Sequence, residues 1–126
     1  MIEVCCAIIV EDEKILATRR SHGMHLAGFW EFPGGKIEPG ETAEACVFRE
    51  IREELNIEII IEKQLPSVEH HYPEKSIRLI PFICKIRSGI ITLTDHSEFR
   101  WLVGHEVSSI NWAAADLKVL EEFFRE

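Results

Sequence analysis

The feature that most restricts the fold of this chain is residues 43–55, where apolar side chains recur at helical spacing. They stand at Ala43, Val47, Ile51 and Leu55, with Phe48 beside them. Residues four apart lie on the same side of a helix, so the pattern predicts an amphipathic helix whose apolar face is covered by another layer. Asn56 is expected to end this helix, because Asn tolerates the left-handed conformation next best after Gly.

The opposite face of the predicted helix carries three carboxylates. Glu50, Glu53 and Glu54 occupy positions i, i+3 and i+4, where like charges repel by about 0.2–0.5 kcal/mol per pair. Two explanations are open at this point. Either Arg49 and Arg52 neutralise an ordinary solvated surface, or the carboxylates bind a divalent cation.

A loop rich in Gly and Pro precedes the helix. Residues 24–41, "MHLAGFWEFPGGKIEPGE", contain two Pro and four Gly, and we expect little regular structure there. Gly34 and Gly35 allow the backbone to bend sharply and to approach a metal or a phosphate closely. Mg²⁺ prefers oxygen ligands and is usually bound by few carboxylates together with substrate phosphates. The Gly-rich loop therefore favours the second explanation, in which the carboxylates bind a divalent cation.

The rest of the chain is predicted to be mostly strands, with one further helix. The strand-like runs are "EVCCAIIV" and "ILATRR", expected to form a hairpin, then "IEIII", "SVEHHYP", "IRLIPFICKI", "GIITLT" and "FRWLV". Pro81 suggests a sheet edge or a bulge. The segment "AAADLKVLEEFF" has Leu117, Leu120 and Phe124 at helical spacing. An α+β sandwich follows as the simplest architecture.

Composition limits the classes of protein that remain. A chain of 126 residues with 46% hydrophobic residues corresponds to a single domain, residues 1–126, that buries its own core. The N-terminal segment lacks a basic leader and is too short to span a bilayer, so we expect a soluble, cytoplasmic protein with no membrane partner.

Charge and cysteine usage narrow the classes further. The net charge of −8 opposes binding to polymeric nucleic acid, whereas a small anion bound through a metal remains compatible. The four cysteines show no C-x-x-C pair, so buried reduced thiols are expected.

The segment "GGKIEPGETAEACVFREIREELNI" resembles the Nudix box. The positions that match in register are Gly35, Glu41, Arg49, Glu50, Ile51, Glu53, Glu54 and Ile57. Eight fixed positions within a 23-residue frame make this pattern highly specific. Asn56 stands where the family has Gly; since both tolerate a left-handed helix end, no loss of activity is expected.

The resemblance implies an α/β/α sandwich around a mixed sheet and a set of metal ligands. These ligands would be the carboxylates of Glu50, Glu53 and Glu54 and the carbonyl of Gly34. By the same resemblance, Arg49 would orient the carboxylates by pairing with a glutamate, and Glu41 would support the start of the helix.

The reaction that the resemblance implies is hydrolysis of a nucleoside diphosphate linked to another group. Mg²⁺ is the expected cofactor, with Mn²⁺ as a substitute, because a cation bridges an anionic site and an anionic substrate. A carboxylate must then accept a proton from the attacking water. Glu53 is one candidate for this base, and Asp95 and Glu98 in "TDHSEFRW" are two others.

Over most of its length the sequence is most similar to the MutT branch of the family, which cleaves oxidised purine nucleoside triphosphates, and to its CTP-hydrolysing relatives. This similarity suggests that Arg20, Phe32, Tyr72 and Asp116 contact the nucleotide. An ionised Asp116 would accept hydrogen bonds from guanine N1–H and its 2-amino group, or from the amine of cytosine.

Alternative interpretations remain for several of these residues. Asp116 could cap the last helix, and Asp95 and Glu98 could be turn and strand-edge charges. The expected product pair is nucleoside monophosphate and pyrophosphate, from 8-oxo-dGTP or else from CTP or dCTP. Hydrolysis of another nucleoside diphosphate derivative and a non-catalytic nucleotide-sensing domain are further alternatives. A monomer or a homodimer is expected.

Overall fold

The computed structural model describes all 126 residues. Its strands are β1 (Ile2–Glu11), β2 (Lys14–Arg19), β3 (Trp30–Glu31), β4 (Gly34–Lys36), β5 (Glu58–Gln64), β6 (Val68–His71), β7 (Ser76–Ser88) and β8 (Glu98–Leu102). Its helices are α1 (Ala43–Leu55) and α2 (Ala114–Phe124), with a short 3-10 helix at Gly104–Ser109. Neither α-helix is long and apolar enough to cross a membrane.

All eight strands belong to one mixed sheet. The central path runs β3-β2-β1-β7-β5, while β4 pairs with β1, β6 with β7 and β8 with β2. Strands β1 and β7 are parallel, and the other pairs are antiparallel. The predicted hairpin of β1 and β2 is confirmed; its turn residues Asp12 and Glu13 have φ of 51° and 64°, a conformation typical of tight hairpin turns.

Strand β1 separates two apolar cores, because its successive side chains point to opposite faces. Cys5, Ala7 and Ile9 lie in the core under α1, whereas Cys6 and Ile8 lie in the core under α2. The sheet is therefore covered by one helix on each face, and the predicted α/β/α sandwich is confirmed. All four cysteines are free and buried, as predicted.

Helix α1 has the predicted boundaries. The side chain of Thr42 accepts a hydrogen bond from the Ala45 amide at 3.1 Å and caps the N-terminus. Asn56 ends the helix with φ 60°, the left-handed conformation expected from the sequence. The buried face differs in one detail, since Cys46 is buried whereas Phe48 is 42% exposed.

Helix α2 forms where predicted, but its buried face is different. Leu117 and Phe124 are 49% and 56% exposed, while Ala115, Val119 and Leu120 are buried. The helical spacing of Leu117, Leu120 and Phe124 correctly predicted the helix, but of these three residues only Leu120 lies on its buried face.

The segment "GIITLT" is not a strand. The amides of Thr92 and Thr94 donate to the carbonyls of Leu55 and Glu54, at 2.9 Å and 3.1 Å. These carbonyls are at the C-terminal end of α1, where no partner within the helix is available. The strand prediction was wrong because this segment bonds to the helix end instead of to the sheet.

Two smaller expectations also changed. The loop at residues 24–41 contains the two short strands β3 and β4. Pro81 lies inside β7 and not at an edge, and its carbonyl accepts from the Leu65 amide at 2.9 Å. The neighbour of β7 changes there from β6 to β5, so the missing N–H of Pro81 faces a gap in the ladder.

Candidate active site

Gly34 and Gly35 bring the backbone of β4 into direct contact with β1 and α1. A Cβ added at Gly34 would lie 2.0 Å from the carbonyl oxygen of Cys5, and one at Gly35 would lie 2.3 Å from the carboxyl carbon of Glu50. Neither position accepts a side chain without a shift of backbone or carboxylate. The Glu50 carboxylate therefore lies directly against the Gly35 backbone.

Arg49 connects the acidic side chains of this region. Its guanidinium donates to both carboxylate oxygens of Glu41, at 2.7 Å and 2.9 Å, to Glu50 at 2.8 Å and to Glu53 at 3.4 Å. The fork on Glu41 is bidentate, the geometry that makes Arg–carboxylate pairs strong and specific. The same hydrogen bonds from Arg49 lower the pKa of Glu41 to about 2.

Glu54 is held apart from this network. Its Oε1 accepts from the Gly34 amide at 2.9 Å. Burial raises the pKa of Glu54 to about 9, helped by the negative charges of Glu31, Glu50 and Asp95. Burial also raises the pKa of Glu50. A carboxylate in such surroundings is stabilised by any cation that enters.

The three helix carboxylates do not form a ready-made cage. No group of three or more Asp, Glu, His or Cys side chains is close enough to enclose a metal ion. Arg49 donates to Glu50 and Glu53, and the Gly34 amide donates to Glu54; all three carboxylates stay predicted metal ligands. Gly34 uses its N–H in this bond, and its carbonyl stays a predicted metal ligand.

The donor chemistry nevertheless fits a hard divalent cation. The available groups are carboxylate oxygens on one helix face, and the Glu50 carboxylate lies directly against the Gly35 backbone. Mg²⁺ takes oxygen ligands and needs only one or two protein carboxylates when substrate phosphates supply the rest. Glu50, Glu53 and Glu54 are the residues that would hold it.

Asp95 and Glu98 have different surroundings. Asp95 follows the segment bonded to the end of α1, and its charge acts on Glu54. Glu98, at the start of β8, forms an ion pair with Arg19 of the neighbouring β2 at 2.9 Å. Of the two, only Asp95 is free of a cationic partner.

A cavity of about 220 Å³ extends from Gly34 and Gly35 to the start of α2. Its walls include all four residues that the sequence suggested for nucleotide contact: Arg20, Phe32, Tyr72 and Asp116. The ring of Phe32 packs on Trp112 with centroids 4.9 Å apart. The Tyr72 hydroxyl accepts from the Ala115 amide at 3.1 Å, which joins β6 to α2.

Asp116 is not a helix cap. Residue 113 is the N-cap of α2, and it makes no side-chain bond. Asp116 is 6% exposed, and its Oδ1 accepts from the Phe32 amide at 2.9 Å. Burial and the neighbouring charge of Glu31 raise the pKa of Asp116 well above its ordinary value.

Sequence reasoning missed two residues of this region, Glu31 and His96. Glu31 lines the cavity, and its carboxylate accepts hydrogen bonds from Arg20 at 2.7 Å and from the His96 ring at 2.9 Å. A charged residue between Trp30 and Phe32, just before the two glycines, was the signal available for Glu31. Nothing in the spacing of His96 marks it.

The fold and the site together define a class: an α/β/α sandwich with a glycine-rich turn, an acidic helix face and an adjoining ligand cavity. The family model of the NUDIX domain matches residues 4–122. The chain therefore belongs to the NUDIX domain family.

Individual relatives agree with this assignment. The CTP pyrophosphohydrolase of Escherichia coli is 36% identical over 98% of this chain and 91% of its own length. The 8-oxo-dGTP diphosphatase of the same species is 42% identical over 55% of this chain and 54% of its own length. The solution structure of the E. coli ORF135 protein superposes with a TM-score of 0.84 at 35% identity, covering 99% of this chain and 89% of that one.

Proposed function

We propose that this chain hydrolyses nucleoside triphosphates to nucleoside monophosphate and pyrophosphate with a divalent cation, Mg²⁺ first among them. One observation carries the proposal: a single cavity reaches from Asp116 and Arg20 to Gly34 and Gly35, against which the Glu50 carboxylate lies. A nucleotide matches these two ends: its nucleobase would contact Asp116 and Arg20, and its phosphate chain would lie near Gly34, Gly35 and the cation held by Glu50.

The acidic face of α1 is proposed to bind the phosphate chain through a cation. Nudix hydrolases generally use a divalent metal, and Glu50, Glu53 and Glu54 are the proposed ligands. When bound, the cation polarises the phosphoryl oxygens and lowers the pKa of the attacking water. Arg49 keeps Glu50 and Glu53 oriented toward the site through its own hydrogen bonds.

The proton of the water needs an acceptor. Glu53 is a candidate because its side chain is 58% exposed and Arg49 is its only partner, at 3.4 Å. Asp95 is the second candidate, next to Glu54. Glu98 is less favoured, because its ion pair with Arg19 would have to break first.

The end of the cavity at Asp116 and Arg20 fits a purine or pyrimidine with hydrogen-bond donors on its edge. Oxidised guanine, as in 8-oxo-dGTP, is the substrate we propose first, and CTP or dCTP is the second. The second is supported by the nearly full-length similarity to a CTP pyrophosphohydrolase. Asp116 is proposed to read the base, while Arg20, Phe32 and Tyr72 line its pocket.

The test is a panel of nucleotides incubated with the protein and Mg²⁺, with products separated by ion-exchange chromatography. The panel contains 8-oxo-dGTP, dGTP, CTP, dCTP, a dinucleoside polyphosphate and a nucleotide sugar. We expect monophosphate and pyrophosphate in equal amounts, with 8-oxo-dGTP or a cytosine nucleotide fastest. Release of inorganic phosphate alone, or no turnover of any nucleoside triphosphate, would contradict the proposal.

A further inference from the structure

The carboxylate of Glu31 is held from two sides. One oxygen, Oε1, accepts from Arg20 at 2.7 Å, and the other, Oε2, accepts from Nε2 of His96 at 2.9 Å. The side chain of Glu31 is 14% exposed, and that of His96 is 0% exposed. With one donor on each oxygen, the plane of the carboxylate is fixed.

The backbone around His96 brings its ring to this position. On one side, the amide of Thr94 donates to the Glu54 carbonyl at 3.1 Å. On the other side, the amide of Ser97 donates to the Arg19 carbonyl at 3.0 Å. His96 thus lies on a short bridge between the end of α1 and β2, and its ring is directed inward at Glu31.

Packing alone does not explain a histidine here. The Nδ1 of His96 is buried and has no hydrogen-bond partner, and an unsatisfied buried nitrogen reduces stability. A leucine would fill the same space without that cost. The contact between Nε2 and Glu31 is the feature that a leucine would not provide.

Glu31 and Arg20 both line the cavity that also contains Asp116. The Arg20 guanidinium has two partners: its Nε donates to the His25 carbonyl, and its Nη1 donates to Glu31. If the Glu31 carboxylate were free to rotate, Nη1 would lose the partner that fixes it on the pocket wall. Pocket groups held in advance bind a ligand more tightly, because less side-chain entropy is lost on binding. His96 itself does not line the cavity.

We propose that His96 is a positioning residue that fixes Glu31, and through it Arg20, on the wall of the nucleotide pocket. The inference rests on the proposed function, since it assigns these two side chains to nucleotide binding. It makes His96 a determinant of substrate affinity and not of the hydrolytic step.

The first experiment compares His96→Leu and His96→Gln with wild type, using 8-oxo-dGTP and CTP with Mg²⁺. His96→Leu should raise KM about tenfold or more, the effect expected when a buried hydrogen bond to a charged group is lost. Its kcat should stay within about threefold, because the acidic face of α1 is untouched. His96→Gln should recover most of the KM, since the Gln amide reaches the position of Nε2.

The matched control is His105→Leu, because His105 is an exposed histidine outside the cavity; its KM should not change. Thermal melting of each variant separates folding defects from binding defects. A fall in kcat of about tenfold for His96→Leu with unchanged KM would overturn the positioning role. So would a KM of His96→Gln as high as that of His96→Leu, if the two variants have the same melting temperature.

A double-mutant cycle with Glu31→Gln gives a second test. If His96 acts through Glu31, His96→Leu should change KM by less than about twofold in the Glu31→Gln background. Full additivity of the two changes would overturn the proposal.

The wild type separates this inference from the proposed function. Wild-type turnover with KM unaffected by His96→Leu overturns only the positioning role. If wild type does not turn over but binds CMP or 8-oxo-dGMP in a fluorescence titration, the proposed function fails, and the same variants are compared by Kd. Absence of both turnover and binding overturns both.

Discussion

Asp116 carries the substrate assignment because it is a buried acid in the cavity wall with one hydrogen bond from the protein. Its Oδ1 accepts from the Phe32 amide, and burial together with the nearby negative charge of Glu31 raises the pKa of Asp116. A buried carboxyl with few partners in the chain is well suited to accept from a ligand, because burial increases the cost of leaving it unpaired.

We therefore predict that Asp116→Ala lowers kcat/KM for the preferred nucleotide, by an amount that corresponds to about 1–3 kcal/mol of transition-state stabilisation. Poor substrates that do not use this contact should be affected less, so the range of rates across nucleotides should narrow. Asp116→Asn, which can donate as well as accept, should change the order of preference between guanine and cytosine nucleotides. Steady-state kinetics over the panel measures both effects. An equal loss for every nucleotide, matched by a lower melting temperature, would show a purely structural role.

A second prediction concerns the acid sensitivity of the Glu41–Arg49 pair. Hydrogen bonds from Arg49 lower the pKa of Glu41 to about 2 in the folded chain, whereas in the unfolded chain it titrates near its ordinary value of 4.5. A carboxyl with a lowered pKa stabilises the fold above the unfolded value, and this stabilisation is lost as pH falls through the folded value.

Urea unfolding of wild type and Glu41→Gln from pH 7 to pH 2.5 tests this prediction. The unfolding free energy of wild type should exceed that of Glu41→Gln, and the difference should be largest near neutral pH. The difference should shrink below about pH 4.5, the ordinary pKa range of Glu. A margin independent of pH would mean that Glu41 contributes through packing and not through its charge.

The residues that the sequence revealed are those with a pattern of their own. The glutamates of α1 follow a fixed spacing after two glycines, and Asp116 stands at the start of an amphipathic segment. Glu31 and His96 are far apart along the chain and meet only because β3 and the segment after residue 90 converge on β2. Such a contact leaves no periodic signal in the sequence.

The junction of Asn56 with the segment after β7 shows how a helix end can replace a strand. Asn56 occupies the position where the resemblance expects Gly, and its left-handed backbone fits that position. Its side-chain amide also donates to the Thr92 carbonyl at 2.6 Å and to the Thr94 hydroxyl at 3.3 Å. The Thr94 hydroxyl in turn donates to the Glu53 carbonyl at 2.7 Å. A Gly could not make the side-chain contacts.

We predict that Asn56→Gly keeps α1 intact but loosens this junction. Gly satisfies the left-handed backbone, so helix content by circular dichroism should not change. Loss of the side-chain bonds should cost about 0.5–1.5 kcal/mol of unfolding free energy. It should also speed hydrogen exchange at the Thr92 and Thr94 amides, while the amides of β1 stay protected. Unchanged exchange at both threonines would mean that the backbone bonds alone hold the segment.

Helix and strand prediction worked where local pattern and tertiary packing agreed. In α1 the apolar spacing, the Thr42 cap and the Asn56 end all indicate the same helix. In α2 the spacing of large residues indicated the helix but not its whole buried face, which includes the smaller residues Ala115 and Val119 beside Leu120. Of the two alternatives for Pro81, an edge is excluded, because the residue lies where the neighbour of β7 changes, and this change is a tertiary feature.

The architecture as a whole ties the two cores together through β1, which contributes side chains to both. We therefore propose that residues 1–126 fold as one domain, and we predict one cooperative unfolding transition. The cysteines report on each side separately: Cys6 lies under α2, whereas Cys5, Cys46 and Cys84 lie under α1.

Thiol labelling along a urea gradient tests the cooperativity. All four thiols should be protected in the native state, since burial raises their pKa and a thiol is not the reactive form. They should become reactive together, with the same midpoint as tryptophan fluorescence. Labelling of Cys6 at a urea concentration that leaves the other three protected would show two independently unfolding layers.

Whether the acidic face of α1 is a metal-dependent hydrolytic site is tested most sharply by measuring kcat of Glu53→Gln with Mg²⁺. Glu53 is largely exposed, so the substitution should leave the melting temperature unchanged. It should lower kcat by about 100-fold or more if the carboxylate acts as a ligand or base. Glu44→Gln, an exposed glutamate on the same helix outside the Arg49 network, should retain wild-type kcat. Equal kcat for the two variants, or wild-type turnover undiminished in excess EDTA, would show that the acidic face of α1 is not a metal-dependent hydrolytic site.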